Sequence, residues 1–129
     1  MKSVYLDNAA TTQIRDEVVD KMFKIAKINY GNPSSTHSFG RGSRTLVESS
    51  RKQIANHLNV SPSEIIFMSG GTEADNMFLI NTVLEKKIDT IITSKIEHHA
   101  VLHCCDFLNK SYNTNIKHVK IDEKGKIDL

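Results

Sequence analysis

Two short stretches of the sequence carry groups suited to binding chemistry. The first is Ser69-Gly70-Gly71-Thr72-Glu73, in which the glycines let backbone N–H groups approach an anion closely and Thr72 adds a hydroxyl donor. A helix starting at Thr72 would add partial positive charge, which favours a phosphate group. An ordinary strand-to-helix turn capped by Thr72 explains these residues equally well, because a Gly-Gly pair is not specific. The spacing excludes a Walker loop and a dinucleotide-binding G-x-G-x-x-G loop.

The second stretch is a histidine cluster, Glu97-His98-His99, followed by His103 and two cysteines. An imidazole at His98 could stack on a planar ring or serve as an acid–base group. His99 and His103 are four residues apart and would share one face of a helix, which raises the possibility of zinc. Two ligands from one turn do not complete a zinc site, so we predict surface histidines and no metal site.

Composition narrows the classes of protein to which this chain could belong. The chain has 129 residues, a formal charge of +2 and 39% hydrophobic residues, with no apolar run long enough to span a membrane. The near balance of basic and acidic side chains gives no support to a nucleic-acid or membrane partner. The cysteines, Cys104 and Cys105, are adjacent and would form only a strained disulfide with each other, and Cys105 falls at a buried helical position. We therefore expect a cytoplasmic protein, or one of an organelle matrix.

The first half of the chain reads as a loop followed by helices. Apolar spacing predicts one helix over residues 16–28 and another from Phe39 to Leu58, ending at Asn59. A segment dense in turn residues, Tyr30 to Ser35, separates them. We assign residues 1–60 to this N-terminal loop and helical segment.

The second half alternates between strand and helix patterns. The predicted elements, in order, are a strand over 64–68, a helix over 72–84, a strand over 89–93, a helix over 98–108 and a strand over 116–121. This alternation predicts an α/β fold with a parallel sheet, in which ligands bind beyond the carboxyl ends of the strands. His98 and the Gly71-Thr72 loop would then lie at the same end of neighbouring strands. Residues 125–129 read as a turn entering another helix, so we expect the chain to be truncated, with residues 61–129 an incomplete α/β domain.

Four motifs, matching in order and spacing, resemble the opening motifs of cysteine desulfurases of the branch that serves nitrogen fixation and iron–sulfur cluster assembly. They are Tyr5-Leu6-Asp7-Asn8-Ala9-Ala10-Thr11-Thr12, Gly31-Asn32-Pro33-Ser34-Ser35 with His37 and Gly40, Ser69-Gly70-Gly71-Thr72-Glu73-Ala74-Asp75-Asn76, and Ser94-Lys95-Ile96-Glu97-His98. The resemblance covers nearly the whole chain. It implies the start of the large domain of a fold-type I enzyme that uses pyridoxal 5′-phosphate, in the class V aminotransferase family.

The resemblance also implies roles for individual residues. Gly71 and Thr72 would hold the cofactor's phosphate, and His98 would stack on its pyridine ring. A second group would lie near the substrate entrance: Asn8, Ala9, Thr11, Asn32 and His37. The implied reaction converts L-cysteine to L-alanine and leaves a persulfide on the enzyme. The sulfur passes to an acceptor or scaffold protein, for iron–sulfur clusters or thio-cofactors, and the full-length enzyme would be a homodimer.

Three working residues of the family have no counterpart in these motifs. The Schiff-base lysine, the aspartate that pairs with the pyridine nitrogen and the nucleophilic cysteine belong to motifs expected beyond Leu129. Lys95 does not have the family's Ser-x-His-Lys context, and neither Cys104 nor Cys105 matches a catalytic motif. We therefore expect no catalytic residue in this chain and no turnover by the chain alone.

Other readings stay open on the sequence alone. A selenocysteine lyase or a class V aminotransferase would share these opening motifs and differ in residues further along. A protein without catalytic activity, such as a remnant that binds a partner through its sheet edge, is a rival of a different class. A nucleotide-binding module has little support, because no matching phosphate loop is present.

Overall fold

The computed structural model describes residues 3–128, and their contacts divide the chain into two units, Met1–Ile66 and Phe67–Leu129. The first unit holds two helices, α1 (Asp16–Ile28) and α2 (Ser38–Leu58). Both predicted helices are confirmed. The domain boundary drawn after residue 60 stays a prediction.

Helix α2 is defined at both ends by residues that satisfy backbone groups. The imidazole Nδ1 of His37 accepts the N–H of Gly40 at 3.3 Å and caps the N-terminus. Asn59 adopts the left-handed conformation at φ 55° and ends the helix, as predicted. Along this helix Ala55 is fully buried, whereas Ile54 is 40% exposed and Leu58 is 59% exposed.

The turn before α2 packs closely on the first turn of that helix. A Cβ atom at Gly40 would come within 2.5 Å of the backbone oxygen of Ser35 and 2.6 Å of that of Asn32. Only glycine allows the backbones to approach this closely without a shift. The sequence Gly31 to Gly40 therefore forms one compact turn that ends in the His37 cap.

The strand predicted over residues 64–68 is wrong. Pro62–Glu64 forms a 3-10 turn, opened by a capping box in which the Glu64 carboxylate accepts the Ser61 N–H at 2.8 Å. Residues 65–68 follow without a ladder, and Ile66 is 60% exposed. A strand needs a neighbour for its backbone groups, and none of the pairings among residues 3–128 involves this segment. The carbonyl oxygen of Ile65 instead accepts a hydrogen bond from the Arg51 guanidinium.

The second unit contains a β-α-β arrangement preceded by a helix. Its elements are α3 (Gly71–Lys86), β1 (Thr90–Thr93), α4 (His99–Tyr112) and β2 (Asn115–His118). Helix α3 ends at Lys87 and α4 at Asn113, both with positive φ angles. Both helices are confirmed and run a few residues beyond the predicted ends. Within residues 3–128, no helix is long and apolar enough to cross a lipid bilayer.

Strands β1 and β2 pair in parallel through the crossover helix α4. The register places Thr90 opposite Asn115 and Thr93 opposite His118. This confirms the α/β class with a parallel sheet. The core beneath it is formed by side chains of α3, β1 and α4: Leu79, Ile80, Val83, Ile91, Cys104 and Leu108. Cys105 is 2% exposed, which confirms its predicted burial.

The end of the described chain is a small hairpin and not the predicted entry to a helix. Strand β3 (Lys120–Ile121) pairs antiparallel with β4 (Ile127–Asp128), so the strand predicted over 116–121 is divided at Val119. One carboxylate oxygen of Asp122 accepts the N–H groups of Lys124 at 2.9 Å and Lys126 at 2.8 Å, which fixes the connecting turn. Leu129, the last residue of the predicted helix entry, lies outside the described residues.

Candidate functional site

The N-terminus of α3 presents backbone donors that no residue of the described chain satisfies. Gly70 precedes the helix in an extended conformation and provides no side-chain cap. Within residues 3–128 no hydrogen bond is made by the N–H groups of Gly71, Thr72 or Glu73, while the next amide, that of Ala74, donates to the Gly70 carbonyl at 3.2 Å. A Cβ atom at Gly71 would meet nothing within 4 Å, so the space beside the turn is open. Free amides at a helix N-terminus are suited to an anion.

The acidic residue in this turn, Glu73, is engaged by its neighbour. Its Oε2 atom accepts hydrogen bonds from the backbone N–H and the hydroxyl of Ser69, both at 2.7 Å. These bonds, the backbone one first, lower the pKa of the Glu73 carboxyl. The two donors thus hold the Glu73 carboxylate against Ser69 and favour its charged form. Asn76 donates to the Thr72 carbonyl at 2.7 Å and braces the first turn of the helix.

The loop after β1 holds His98 in a defined orientation. Buried Ser94 donates its hydroxyl to Glu97 at 2.8 Å and accepts the Ile96 N–H at 3.3 Å. His98 then caps α4, because its Nδ1 atom accepts the N–H of Ala100 at 3.2 Å. An accepting Nδ1 places the proton of the neutral ring on Nε2. The ring is therefore held through one nitrogen, and the residue as a whole is exposed.

A pocket of about 450 Å³ brings Thr72 and His98 together. Its other polar walls are Asn76 from α3 and His99 and His103 from α4. The apolar part of the lining consists of Ile80, Ala100, Cys104 and Phe107. This volume lies within the range of small-molecule sites. A larger cavity of about 1180 Å³, between Lys95 and the β3–β4 hairpin, contains none of the predicted site residues.

The other predicted site residues lie in the first unit. Asn8 and Ala9 belong to a turn in which the Asp7 carbonyl accepts the N–H of Thr11 at 3.3 Å. Asn32 accepts the Ser34 N–H at 2.9 Å through its side chain, and His37 caps α2. These bonds give Asn32 and His37 local structural roles. A place at the substrate entrance stays a prediction for all of these residues.

Some pocket residues were not singled out by the sequence patterns. Asn76 follows Thr72 by four residues and Phe107 follows His103 by four, so each pair shares a helix face. That spacing is a signal that could have added both residues to the site. His99 and His103 are exposed, as expected of surface histidines, but they also line the pocket.

The two cysteines do not have the character of nucleophiles. Burial raises the pKa of the Cys104 thiol, and burial with the nearby Asp106 carboxylate raises that of Cys105. Both side chains are less than 5% exposed. A nucleophilic cysteine requires an accessible thiolate, so these residues belong to the core.

The fold agrees with a family model that matches nearly the whole chain. The aminotransferase class-V profile matches residues 4–129, and the chain belongs to this family. Cysteine desulfurase IscS of Dictyoglomus turgidum is 46% identical over 129 residues, covering 98% of this chain and 32% of that protein.

Solved structures give the same assignment. A "NifS-like protein" superposes with a TM-score of 0.84 at 38% identity, over 95% of this chain and 34% of that one. The structure titled "SspA in complex with cysteine" superposes with a TM-score of 0.80 at 28% identity, over 88% of this chain and 33% of that one. The chain thus spans about a third of the length of the relatives that it matches.

Proposed function

We propose that this chain forms the phosphate- and ring-binding part of a cysteine desulfurase that uses pyridoxal 5′-phosphate. The observation that carries the proposal is the single pocket lined by Thr72, next to the free amides of α3, and by His98. The whole protein would convert L-cysteine to L-alanine and pass the sulfur, as a persulfide, to an acceptor or scaffold protein. The IscS relative and the cysteine complex of SspA support this choice of substrate.

The residues present fit the phosphate of the cofactor. Three consecutive amides and the Thr72 hydroxyl provide donors for its oxygens, and the α3 N-terminus adds partial positive charge. The Glu73 carboxylate keeps its negative charge in this arrangement, and the two bonds from Ser69 fix the position of its Oε2 atom.

The His98 imidazole fits the planar ring of the cofactor. Its cap to Ala100 holds the ring at the entrance to α4, and the histidine reaches the same pocket as Thr72. Stacking between two aromatic rings favours an offset arrangement and adds to the burial of apolar surface. When bound, pyridoxal 5′-phosphate supplies an electron sink for the amino-acid substrate. The contribution of this chain is to bind and orient the cofactor.

The remaining functions of the active site would come from elsewhere in a protein of the relatives' length. We infer that a lysine, an aspartate and a nucleophilic cysteine are contributed by such a segment, and that this chain alone does not turn over. The buried, protonated Cys104 and Cys105 support this inference. We further propose a cytoplasmic homodimer, by analogy with the family.

Ligand titration of the 129-residue chain tests the proposal. Pyridoxine 5′-phosphate is the suitable probe, because it lacks the aldehyde that would react with surface lysines. Backbone and imidazole NMR signals should show millimolar binding, with the largest shifts at Gly71, Thr72 and His98. Pyridoxine without the phosphate should bind far more weakly.

One variant tests the phosphate donor of the site, and a matched variant outside the site is its control. Thr72→Val should weaken binding of both inorganic phosphate and the probe, because it removes a phosphate donor. Thr90→Val, a matched change in β1, should leave both affinities unchanged. Shifts spread over the surface, or none at millimolar probe, would contradict the proposed site.

A further inference from the structure

A pair of histidines on α4 carries an arrangement that cofactor binding does not require. His99 and His103 lie one turn apart, both are exposed, and their ring centroids are 5.3 Å apart with the planes inclined by 31°. The sequence predicts surface histidines and no complete metal site here, but from this ring geometry we propose instead that the two imidazoles form a partial, exchangeable binding site for a late first-row divalent metal ion such as Zn²⁺ or Ni²⁺. The site is a two-ligand clamp on the wall of the pocket that also contains Thr72.

The separation of the rings matches coordination of one metal by both. A metal bonded about 2.0 Å from one nitrogen of each ring would lie about 3.2 Å from each ring centroid. With the centroids 5.3 Å apart, the angle between the two ligands at the metal is then about 110°, close to the tetrahedral angle that zinc prefers. Both side chains are exposed, so small rotations can align the nitrogens without disturbing the core.

The described chain supplies two ligands and leaves the other positions open. His98 is not a third ligand through Nδ1, because that atom accepts the Ala100 N–H, and its ring centroid lies 6.2 Å from that of His99. Cys104 lines the same pocket but is 3% exposed. No group of three or more metal-ligating side chains occurs within residues 3–128. Water or an added small ligand would complete the coordination, so the bound metal is exchangeable.

The imidazole nitrogens of the pair, and not the charge around them, determine which metals it favours. His99 is the first residue of the helix, where the partial positive charge of the N-terminus disfavours any cation. Binding must therefore come from bonds to imidazole nitrogen, which suit Zn²⁺ and Ni²⁺ and not the oxygen-seeking Mg²⁺. Selectivity of this kind distinguishes a real clamp from attraction to a charged surface.

Titration of the 129-residue chain with Zn²⁺, in a buffer that does not bind metals, tests the proposal without any cofactor. Imidazole NMR signals of His99 and His103 should shift together at one affinity, and Ni²⁺ should broaden the same signals. The second imidazole acts at high effective concentration, so removing either one should weaken Zn²⁺ binding by about tenfold or more. The variants are His99→Ala and His103→Ala.

His57→Ala and His118→Ala are the matched controls, since both side chains are exposed and lie outside this pocket. They should keep the affinity of the parent chain. Circular dichroism verifies that each variant is folded, and His103→Gln replaces His103→Ala if the alanine variant is not. Unchanged Zn²⁺ affinity in a folded His99 or His103 variant overturns the proposal, and so does equal binding of Mg²⁺. Because no cofactor is present, a failure here leaves the proposed phosphate and ring site untouched.

Discussion

Replacement of His98 should separate two roles that the structure gives to one side chain. Its Nδ1 atom caps α4 through the Ala100 N–H, and its ring lines the pocket proposed for the cofactor. Alanine removes both roles. Asparagine removes the ring but keeps a side-chain oxygen that can accept the same N–H, because it is among the best N-cap residues.

The two variants should therefore differ in stability and agree in binding. Loss of an N-cap costs about 1 kcal/mol, so His98→Ala should lower the melting temperature by about 4–8 °C for a unit of this size. His98→Asn should lie within a few tenths of a kcal/mol of the parent, roughly the scatter among good caps. Ring stacking contributes about 0.5–1.5 kcal/mol, so both variants should bind pyridoxine 5′-phosphate about two- to tenfold more weakly.

Thermal unfolding followed by circular dichroism measures the first effect, and NMR titration with the probe measures the second. Inorganic phosphate serves as the internal control, since His98→Asn removes no phosphate donor and should not change its affinity. If His98→Asn binds the probe as tightly as the parent, the ring does not stack on the ligand and the reasoning is refuted. If His98→Ala is as stable as the parent, the cap is not formed in solution.

Two further predictions follow from the second unit. Leu108→Ala should destabilise the chain by about 2–5 kcal/mol because the leucine is fully buried, while Leu84→Ala, at a site 41% exposed, should cost clearly less in urea unfolding. The second prediction concerns Glu73, whose pKa is lowered from its ordinary value of 4.5 by hydrogen bonds from Ser69. These bonds therefore stabilise the folded chain fully above pH 4.5, and that stabilisation is lost as the pH falls through the lowered pKa. NMR titration of the carboxyl group should show this low midpoint. Ser69→Ala should raise the midpoint only part of the way, because the backbone bond, which has the larger effect, remains. An unchanged midpoint would contradict a role for the Ser69 hydroxyl.

The helices were predictable because their signals are local. Asn59 and Asn113, which end α2 and α4, adopt the left-handed conformation that asparagine tolerates better than most residues. The β1–β2 pairing was also predictable, since a helix between two predicted strands implies a parallel crossover. The predicted cofactor residues Thr72 and His98 also share a pocket, but not as the outlets of two neighbouring strands, since no strand precedes Thr72 in the described residues. They meet because α3 and α4 pack against each other through Val83, Cys104 and Leu108.

The misplaced elements depend on partners that a local pattern does not contain. Residues 65–68 have the apolar character of a buried strand, but a strand forms only beside another one, and the described residues provide none there. The segment after Gly125 was read as a turn into a helix, whereas Asp122 binds the amides of Lys124 and Lys126 and closes a hairpin. These bonds are local to the turn, and the pairing of β3 with β4 is what distinguishes a hairpin from the entry to a helix.

The caps of the helices explain why one N-terminus is suited to a ligand and the others are not. Helices α2 and α4 are closed by imidazoles, from His37 and His98, so part of their donor capacity is already used. Helix α1 also lacks a side-chain cap, but Asp16 and Glu17 in its first turn would repel an anion. Among the helices of residues 3–128, α3 alone combines free amides, open space beside the glycines that precede and begin it, and an acidic residue held by hydrogen bonds from its own loop. The same side chain that closes α4 shares a pocket with the open end of α3, so capping one helix helps to build the site at the other.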